Sequence, residues 1–274
     1  MNEEKLYDAA SQGRKDEVRR ILVDCPDIDV NFAEETGGWS SALHIAVWRD
    51  DPIITSLLLA HPAIDPNVQD GAGQTPLATA CTIDGGMCFR MLLRNPKSDF
   101  SIADDFERIP FLRIAQRAAI TNAKWWISFE RPVDFGEEGR RTDLLMAARR
   151  GMNDHDPEHQ SAKADMVSLL ERYREDPDGV RQEARVSLGW YNLVAAELFA
   201  LVVFFCDGLL RIREVGKEEE PRGSEEIRRF LRISGQLPLE LQMVLCRRGV
   251  GSSLGNIAVN DSEAAFLDLA KKSW

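Results

Sequence analysis

The chain has little of what marks a secreted, metal-centred or nucleotide-handling protein. Its five cysteines (Cys25, Cys81, Cys88, Cys206 and Cys246) are odd in number and contain no Cys-x-x-Cys pair. A disulfide framework or a thiolate metal site needs paired thiols at short spacing, so the expectation is reduced, buried thiols in a cytoplasmic protein. Histidine is scarcer, with four residues in 274. That leaves few candidates for a Cys-His or Ser-His nucleophilic pair. Gly-x-Gly-x-x-Gly, the phosphate loop, His-Glu-x-x-His and Gly-x-Ser-x-Gly are missing too. No catalytic residue, cofactor or metal is therefore expected, and the protein is read as not an enzyme.

Positive charge is also short. Lysine and arginine total 34 against 45 acids, a net charge of −11. Sequence-independent nucleic-acid binding relies on cations neutralising phosphates, and this balance argues against it. The most apolar run, Leu193 to Cys206, is interrupted by Glu197 and ended by Asp207-Gly208. It falls short of the roughly 20 residues that span hydrocarbon, so no membrane insertion is expected and a helix buried on all sides is. The N-terminal letters Met-Asn-Glu-Glu-Lys are polar and acidic, without an apolar signal region, and the chain is expected to stay inside the cell.

What the chain does have is a 44% hydrophobic content, enough for a core, and an internal repeat. In Gly73-Gln74-Thr75-Pro76-Leu77-Ala78-Thr79-Ala80 a turn glycine precedes Thr-Pro, where threonine can cap a helix and proline fills a position whose N–H needs no partner. From Leu77, the apolar pair Leu92-Leu93 lies 15 and 16 residues on. The same offsets lead from Leu43 to Leu58-Leu59, from Leu6 to Ile21-Leu22 and from Phe111 to Trp126-Ile127. A fifth unit opens at Thr142-Asp143-Leu144, but its apolar pair is Leu169-Leu170, about ten residues late. The register positions 6, 43, 77, 111 and 144 are spaced by 37, 34, 34 and 33 residues.

These motifs and this period resemble the ankyrin repeat. The resemblance covers roughly residues 3–175 and implies an all-α solenoid of about five helix pairs with finger loops. Repeats fall near 3–35, 36–69, 70–103, 104–136 and 137–175. The first lacks Thr-Pro, as a capping repeat can. The second has a finger about three residues long in excess and places His44 where the family has a structural histidine. The fourth is degraded by Phe111, Ile114 and Trp125-Trp126, read as aromatics filling a core gap. Within the fifth, Met152 to Gln160 is read as a protruding polar loop, and His155 and His159 in it as solvated rather than metal-bound.

Residues 176–274 form a helical C-terminal domain in this reading. Asp176-Pro177-Asp178 opens a helix closed near Gly189, and Asn192 is a candidate cap for the apolar helix. Lys217 to Ser224 reads as a charged loop, Glu225 to Ile233 as a helix, Gly249 to Gly255 as a connector and Ser262 to Lys272 as a final helix. Leu237-Pro238-Leu239-Glu240-Leu241 resembles the opening of an F-box, although Arg247-Arg248-Gly249 departs from its apolar continuation.

The ankyrin resemblance implies recognition of a partner protein through finger tips and exposed faces of the first helices. Transferred by position, the candidate protein-binding residues are Trp39, Trp48, Arg49, Gln74, Arg108, Arg117, Arg140, Arg141, Arg149 and Arg150. Arg108, Arg117, Arg140, Arg141, Arg149 and Arg150 gather toward one end, where guanidinium forks suit an acidic partner segment; the alternative is arginines offsetting helix dipoles. Trp39 and Trp48 are either an aromatic anchor or covered by the long finger. The function expected is that of an adaptor or scaffold. Two alternatives stand beside it: a ubiquitin-ligase substrate receptor using the F-box-like segment, and an enzyme with its site in the C-terminal helices. Partner identity and oligomeric state are not legible.

Overall fold

The structure is a computed structural model that describes residues 2–136, 143–149, 157–206, 230 and 239–250. Internal packing divides the chain into two compact units, Met1–Ala184 and Arg185–Trp274.

The first unit is built from helix pairs: α1 (Asn2–Ser11) with α2 (Lys15–Asp24), α3 (Ala42–Trp48) with α4 (Pro52–Leu59), α5 (Pro76–Ala80) with α6 (Met87–Arg94), α7 (Pro110–Arg117) with α8 (Ile120–Ser128), and α9 (Leu144–Arg149) with α10 (Pro157–Glu175). First helices pack in series, α1 on α3, α3 on α5, α5 on α7 and α7 on α9. Second helices form a parallel series from α2 through α4, α6 and α8 to α10. The cause is the repeated register: Leu6, Leu43, Leu77, Phe111 and Leu144 are all buried, and so are the residues three further on, Ala9, Ala46, Ala80, Ile114 and Ala147. Alanine at most of these second positions lets neighbouring helices approach closely. No pair can bury this stripe alone, so stacking completes the core.

Capping is shared between repeats. Ser41 and Thr75 cap α3 and α5 with their own hydroxyls, and Asp51 caps α4. Helix α6 starts after Gly86, which has no side chain to offer. The Asp50 carboxylate of the preceding repeat accepts instead from Cys88 N–H at 2.9 Å and Met87 N–H at 3.2 Å. Asp84 does the same for Asn122 N–H of α8 at 2.9 Å. In both cases the acid lies seven residues after one register position and its target eleven after the next, so one sequence spacing stitches two junctions.

The aromatics of the fourth repeat fill the core. Trp126 is buried with Phe111, Phe100 and Phe89 at ring-centroid distances of 5.2, 5.4 and 6.5 Å, and its indole N–H donates to the Pro132 carbonyl at 2.9 Å. Arg131 closes the cluster, donating to the Leu93 carbonyl while its guanidinium lies over Phe100 at 4.6 Å.

Three sequence expectations are corrected. Residues 157–160, read as loop, are the first turn of α10, because proline at the first helical position is tolerated where its N–H has no acceptor. Asn192 does not cap the apolar helix. That helix, α12, runs Trp190–Cys206, so Asn192 lies inside it and its N–H donates to the Gly189 carbonyl at 3.0 Å. Gly189 itself, at φ +64, ends α11 (Pro177–Ser187) as expected. Finally, α12 is not buried on all sides. One face, with Ala195, Ala196, Phe199 and Ala200, packs with Cys246 of α13 (Leu239–Gly249), while Leu201 on another face is exposed. Among the described residues, no single helix is long and apolar enough to cross a membrane.

The segments 217–224 and 262–272, the stretch 225–229 and 231–233 of the expected helix, Gly251 to Gly255, and His155 lie outside the described residues.

Candidate protein-recognition face

Helical periodicity fixes which side of the first helices faces outward. With the register residue and its third and fourth successors turned inward, residues two and five positions on point the other way. On α3 these are Ile45 and Trp48, on α5 Thr79 and on α9 Met146; Thr82 follows in sequence just past the end of α5. Trp48 is 64% exposed and Met146 41%. On α7 the same two positions are Arg113 and Gln116, and Arg113 is buried.

The fingers stand at the N-terminal ends of these helices. The second finger is a short hairpin, β1 (Ala33–Glu34) antiparallel to β2 (Ser40–Ser41), around a 3₁₀ turn Glu35–Gly37. Successive fingers are tied through backbone: Gly71 N–H donates to Gly38 O at 2.8 Å, and Asp105 N–H to Ala72 O at 3.2 Å. Gly71 is required at this junction, since a Cβ there would lie 2.9 Å from Gly38 O. Trp39 sits four residues before its register position at φ +60; Gly73 and Glu107, at the same place in the next repeats, have φ +71 and +62. The backbone thus holds Trp39 in a left-handed conformation that a tryptophan adopts only at a cost. One edge of its indole lies against Gly71, and the side chain is 52% exposed.

His44 joins neighbouring repeats. Its Nε2–H donates to the Gln74 carbonyl at 2.9 Å, and Nδ1 accepts from Ser41 N–H at 3.2 Å, a set that needs neutral imidazole. Burial lowers its pKa, against the opposing pull of the Gln74 carbonyl and Asp70. The fourth finger holds a buried carboxylate. Asp104 accepts from the Phe106 and Arg108 amides at 3.0 Å, from Arg108 Nε at 2.8 Å and from Arg113 Nη1 at 3.0 Å. Burial acts to raise its pKa, but the hydrogen bonds from Arg108 and Phe106 together outweigh it and the net shift is downward. Burial also pushes the thiols of Cys88 and Cys246 up to about 12 and raises that of Cys81, so none of the three supplies a ready nucleophile. Among the described residues no three metal-binding side chains cluster.

The residues singled out from sequence are dispersed by this geometry. Trp39 and Trp48 are exposed rather than covered by the long finger. Gln74 is half-buried, and its backbone is engaged by Asp70 and His44. Arg49 is exposed near the α1–α2 turn, close to Gly13. Arg108 is held by Asp104 and lies over the Phe106 ring at 4.6 Å. Arg117 is exposed, and Arg149 pairs with Glu171 at 2.6 Å. Arg140, Arg141 and Arg150 lie outside the described residues. Sequence reasoning passed over Phe106, 58% exposed at the fourth finger tip, and Arg113. The recurrence of aspartate seven residues before Leu77 and Phe111 was the available signal for the second.

Stacked helix pairs joined finger to finger define a repeat scaffold of the kind that works as a protein–protein interaction module. The ankyrin-repeat family model matches residues 40–71, the second of these helix pairs with its finger, whose register the neighbouring pairs repeat. Over 149 residues it is 27% identical to Rabankyrin-5 of Mus musculus and of Homo sapiens, a match covering 53% of this chain and 12% of each relative. Over 78 residues it is 37% identical to SMC5-SMC6 complex localization factor protein 1 of Bos taurus, covering 27% of this chain and 7% of that protein. The matched region is thus a small part of each relative.

Proposed function

We propose that the first unit is a non-catalytic adaptor surface that receives a partner polypeptide across the finger tips and the outward sides of the first helices. The observation that carries this is the exposure of Trp39, Trp48 and Phe106 along fingers and first helices whose inward faces are fully used in stacking. Large aromatics left in water on a folded scaffold are costly unless they serve contact, and tryptophan dominates interface energetics. An acidic partner segment at the far end remains part of the proposal through Arg117; Arg108 and Arg149 are already paired with Asp104 and Glu171. The cytoplasm is the proposed location, in keeping with the buried thiols of Cys81, Cys88 and Cys246. The helical region from about residue 176 is proposed as a separate domain. Neither the F-box-like segment, whose described part is α13, nor a catalytic centre there has a supporting observation.

The test is a photo-crosslinking residue placed in the full chain at position 48 or 106, compared with position 23 on α2, where Val23 is more exposed than either. Crosslinked partner protein is expected from positions 48 and 106 and not from 23. Equal yield from all three would reject the assigned face.

A further inference from the structure

The second and fourth finger tips carry exposed acids beside aromatics, and the cation there, Arg108, is held by Asp104. At the second finger Trp39 follows Glu34 and Glu35; at the fourth, Phe106 stands between Asp105 and Glu107. Glu35, Asp105 and Glu107 are exposed, and none forms an ion pair among the described residues. The third finger between them is Gly71-Ala72-Gly73, a tip of almost bare backbone. Backbone bonds from Gly71 to Gly38 and from Asp105 to Ala72 fix the three tips as one row. Two exposed aromatics therefore stand on either side of a tip without large side chains of its own, the Trp39 edge against Gly71 and the Asp105 carboxylate against Gly73.

The protein supplies its own example of what such a tip takes. The Arg108 guanidinium lies 4.6 Å from the Phe106 ring centroid while its Nε reaches Asp104. An aromatic face and a carboxylate hold one guanidinium together. Trp39 has the larger π face of the two, is 52% exposed and has carboxylates one turn back, and no cation of the described residues lies over it. Tryptophan is the best side chain for a cation over a ring. The raised pKa of Tyr7, whose hydroxyl sits beneath Gly37, is consistent: burial raises it first, and the nearby charges of Glu34 and Asp8 add to the shift.

We propose that the finger row is the docking site of a basic segment of a partner protein, an extended stretch whose arginine or lysine side chain lies on Trp39 between the carboxylates of the second finger, while its backbone crosses the third. This rests on the recognition reading above and names the partner's chemistry. Charge complementarity selects the occupant: an acidic segment here would meet Glu35, Asp105 and Glu107, and like charges at an interface suppress binding.

The experiment measures fluorescence polarisation of the full chain with a labelled Gly-Ser peptide carrying spaced arginines, and with the same peptide carrying glutamates. The arginine peptide is expected to bind, with affinity falling as salt rises, and the glutamate peptide not to. Trp39→Ala is expected to weaken the arginine peptide roughly fivefold or more, with Trp39→Phe restoring part of the loss. Charge reversal by Glu35→Lys and Glu107→Lys together is expected to abolish binding; each side chain is exposed, and circular dichroism checks that the fold is kept. Absence of arginine-peptide binding, equal binding of both peptides, or no change in Trp39→Ala overturns the basic-segment proposal. If crosslinking at 48 and 106 still captures partner protein in that case, the recognition face stands without it. If crosslinking fails too, both fall.

Discussion

The carboxylate of Asp104, fully buried in the fourth finger, holds the Arg113 guanidinium of α7 at 3.0 Å. The pair locks finger to helix at the place where other repeats present an outward-facing side chain. Replacing Arg113 by methionine keeps the stem's apolar volume and removes the charge, leaving Asp104 with Arg108 alone. Removing one partner of a buried pair costs about 3–5 kcal/mol; the retained Arg108 brings the expected loss to about 2 kcal/mol or more, read from urea unfolding.

The same carboxylate sets an acid limit. Its pKa is lowered in the folded state, so the unfolded state takes up the proton first as pH falls. The stability Asp104 contributes is present above the ordinary aspartate range near 3.8 and is lost as pH drops through the folded value. Asp104→Asn is expected to be less stable at neutral pH and to show a shallower loss of stability below that range, checked by melts across pH.

His44 works at milder acidity. Burial lowers its pKa from 6.5, so below 6.5 the unfolded chain binds a proton that folded His44 resists. Stability rises with pH through that window and is lost on acidification. Neutral imidazole also keeps Nδ1 as the acceptor of Ser41 N–H. His44→Gln is expected to lower the neutral-pH melting temperature and to flatten the dependence between pH 6.5 and the folded value; an unchanged slope would show that His44 is not its source.

Asn67, at the end of the second repeat, couples it to the end of the third, donating from Nδ2 to Lys97 O at 2.7 Å and accepting from Asp99 N–H at 2.7 Å. Asn31 makes the same two contacts one repeat earlier, to Ala63 O and Asp65 N–H. At the corresponding place after Asp99 the chain has Ser101. Asn67→Ala removes two partly solvated hydrogen bonds and is expected to cost about 1 kcal/mol. Amide exchange faster at Asp99 than at Asp65 in this variant checks that the effect is local.

Glu107 pays a conformational cost without an evident packing return. It is exposed at φ +62, where Gly73 sits in the preceding repeat. Glu107→Gly relieves left-handed strain of about 1–2 kcal/mol and gives back about half in unfolded-chain entropy. A net gain of up to about 1 kcal/mol is expected, seen as a higher melting temperature.

The array was legible because each repeat repeats its own cause. A leucine, an alanine three residues on and an apolar pair fifteen later locate the first three helix pairs; Phe111 keeps the same spacing in the fourth, Leu144 and Ala147 mark the fifth despite its late apolar pair, and all five register residues are buried. The start of α10 at Pro157 was missed because proline was read as a loop former, when at a first helical position it costs almost nothing. The candidate arginines were collected by sequence offset, but offset does not tell whether a guanidinium faces water. Arg108 found Asp104 across its own finger turn, and Arg149 found Glu171, a partner set by how α9 meets α10.

Period and burial pattern are one-dimensional properties, fixed by which residues must leave water, and so the letters alone determined the stacked helix pairs. Whether Trp39 and Trp48 lay in solvent or beneath a finger, which arginine was consumed by Asp104, and that Asp50 and Asp84 cap the helices of the following repeat were settled only in three dimensions. The caps depend on angstrom-scale distances between residues 38 positions apart, which stacking sets, and the Asp104 pair on how its finger meets α7 at Arg113, nine residues on.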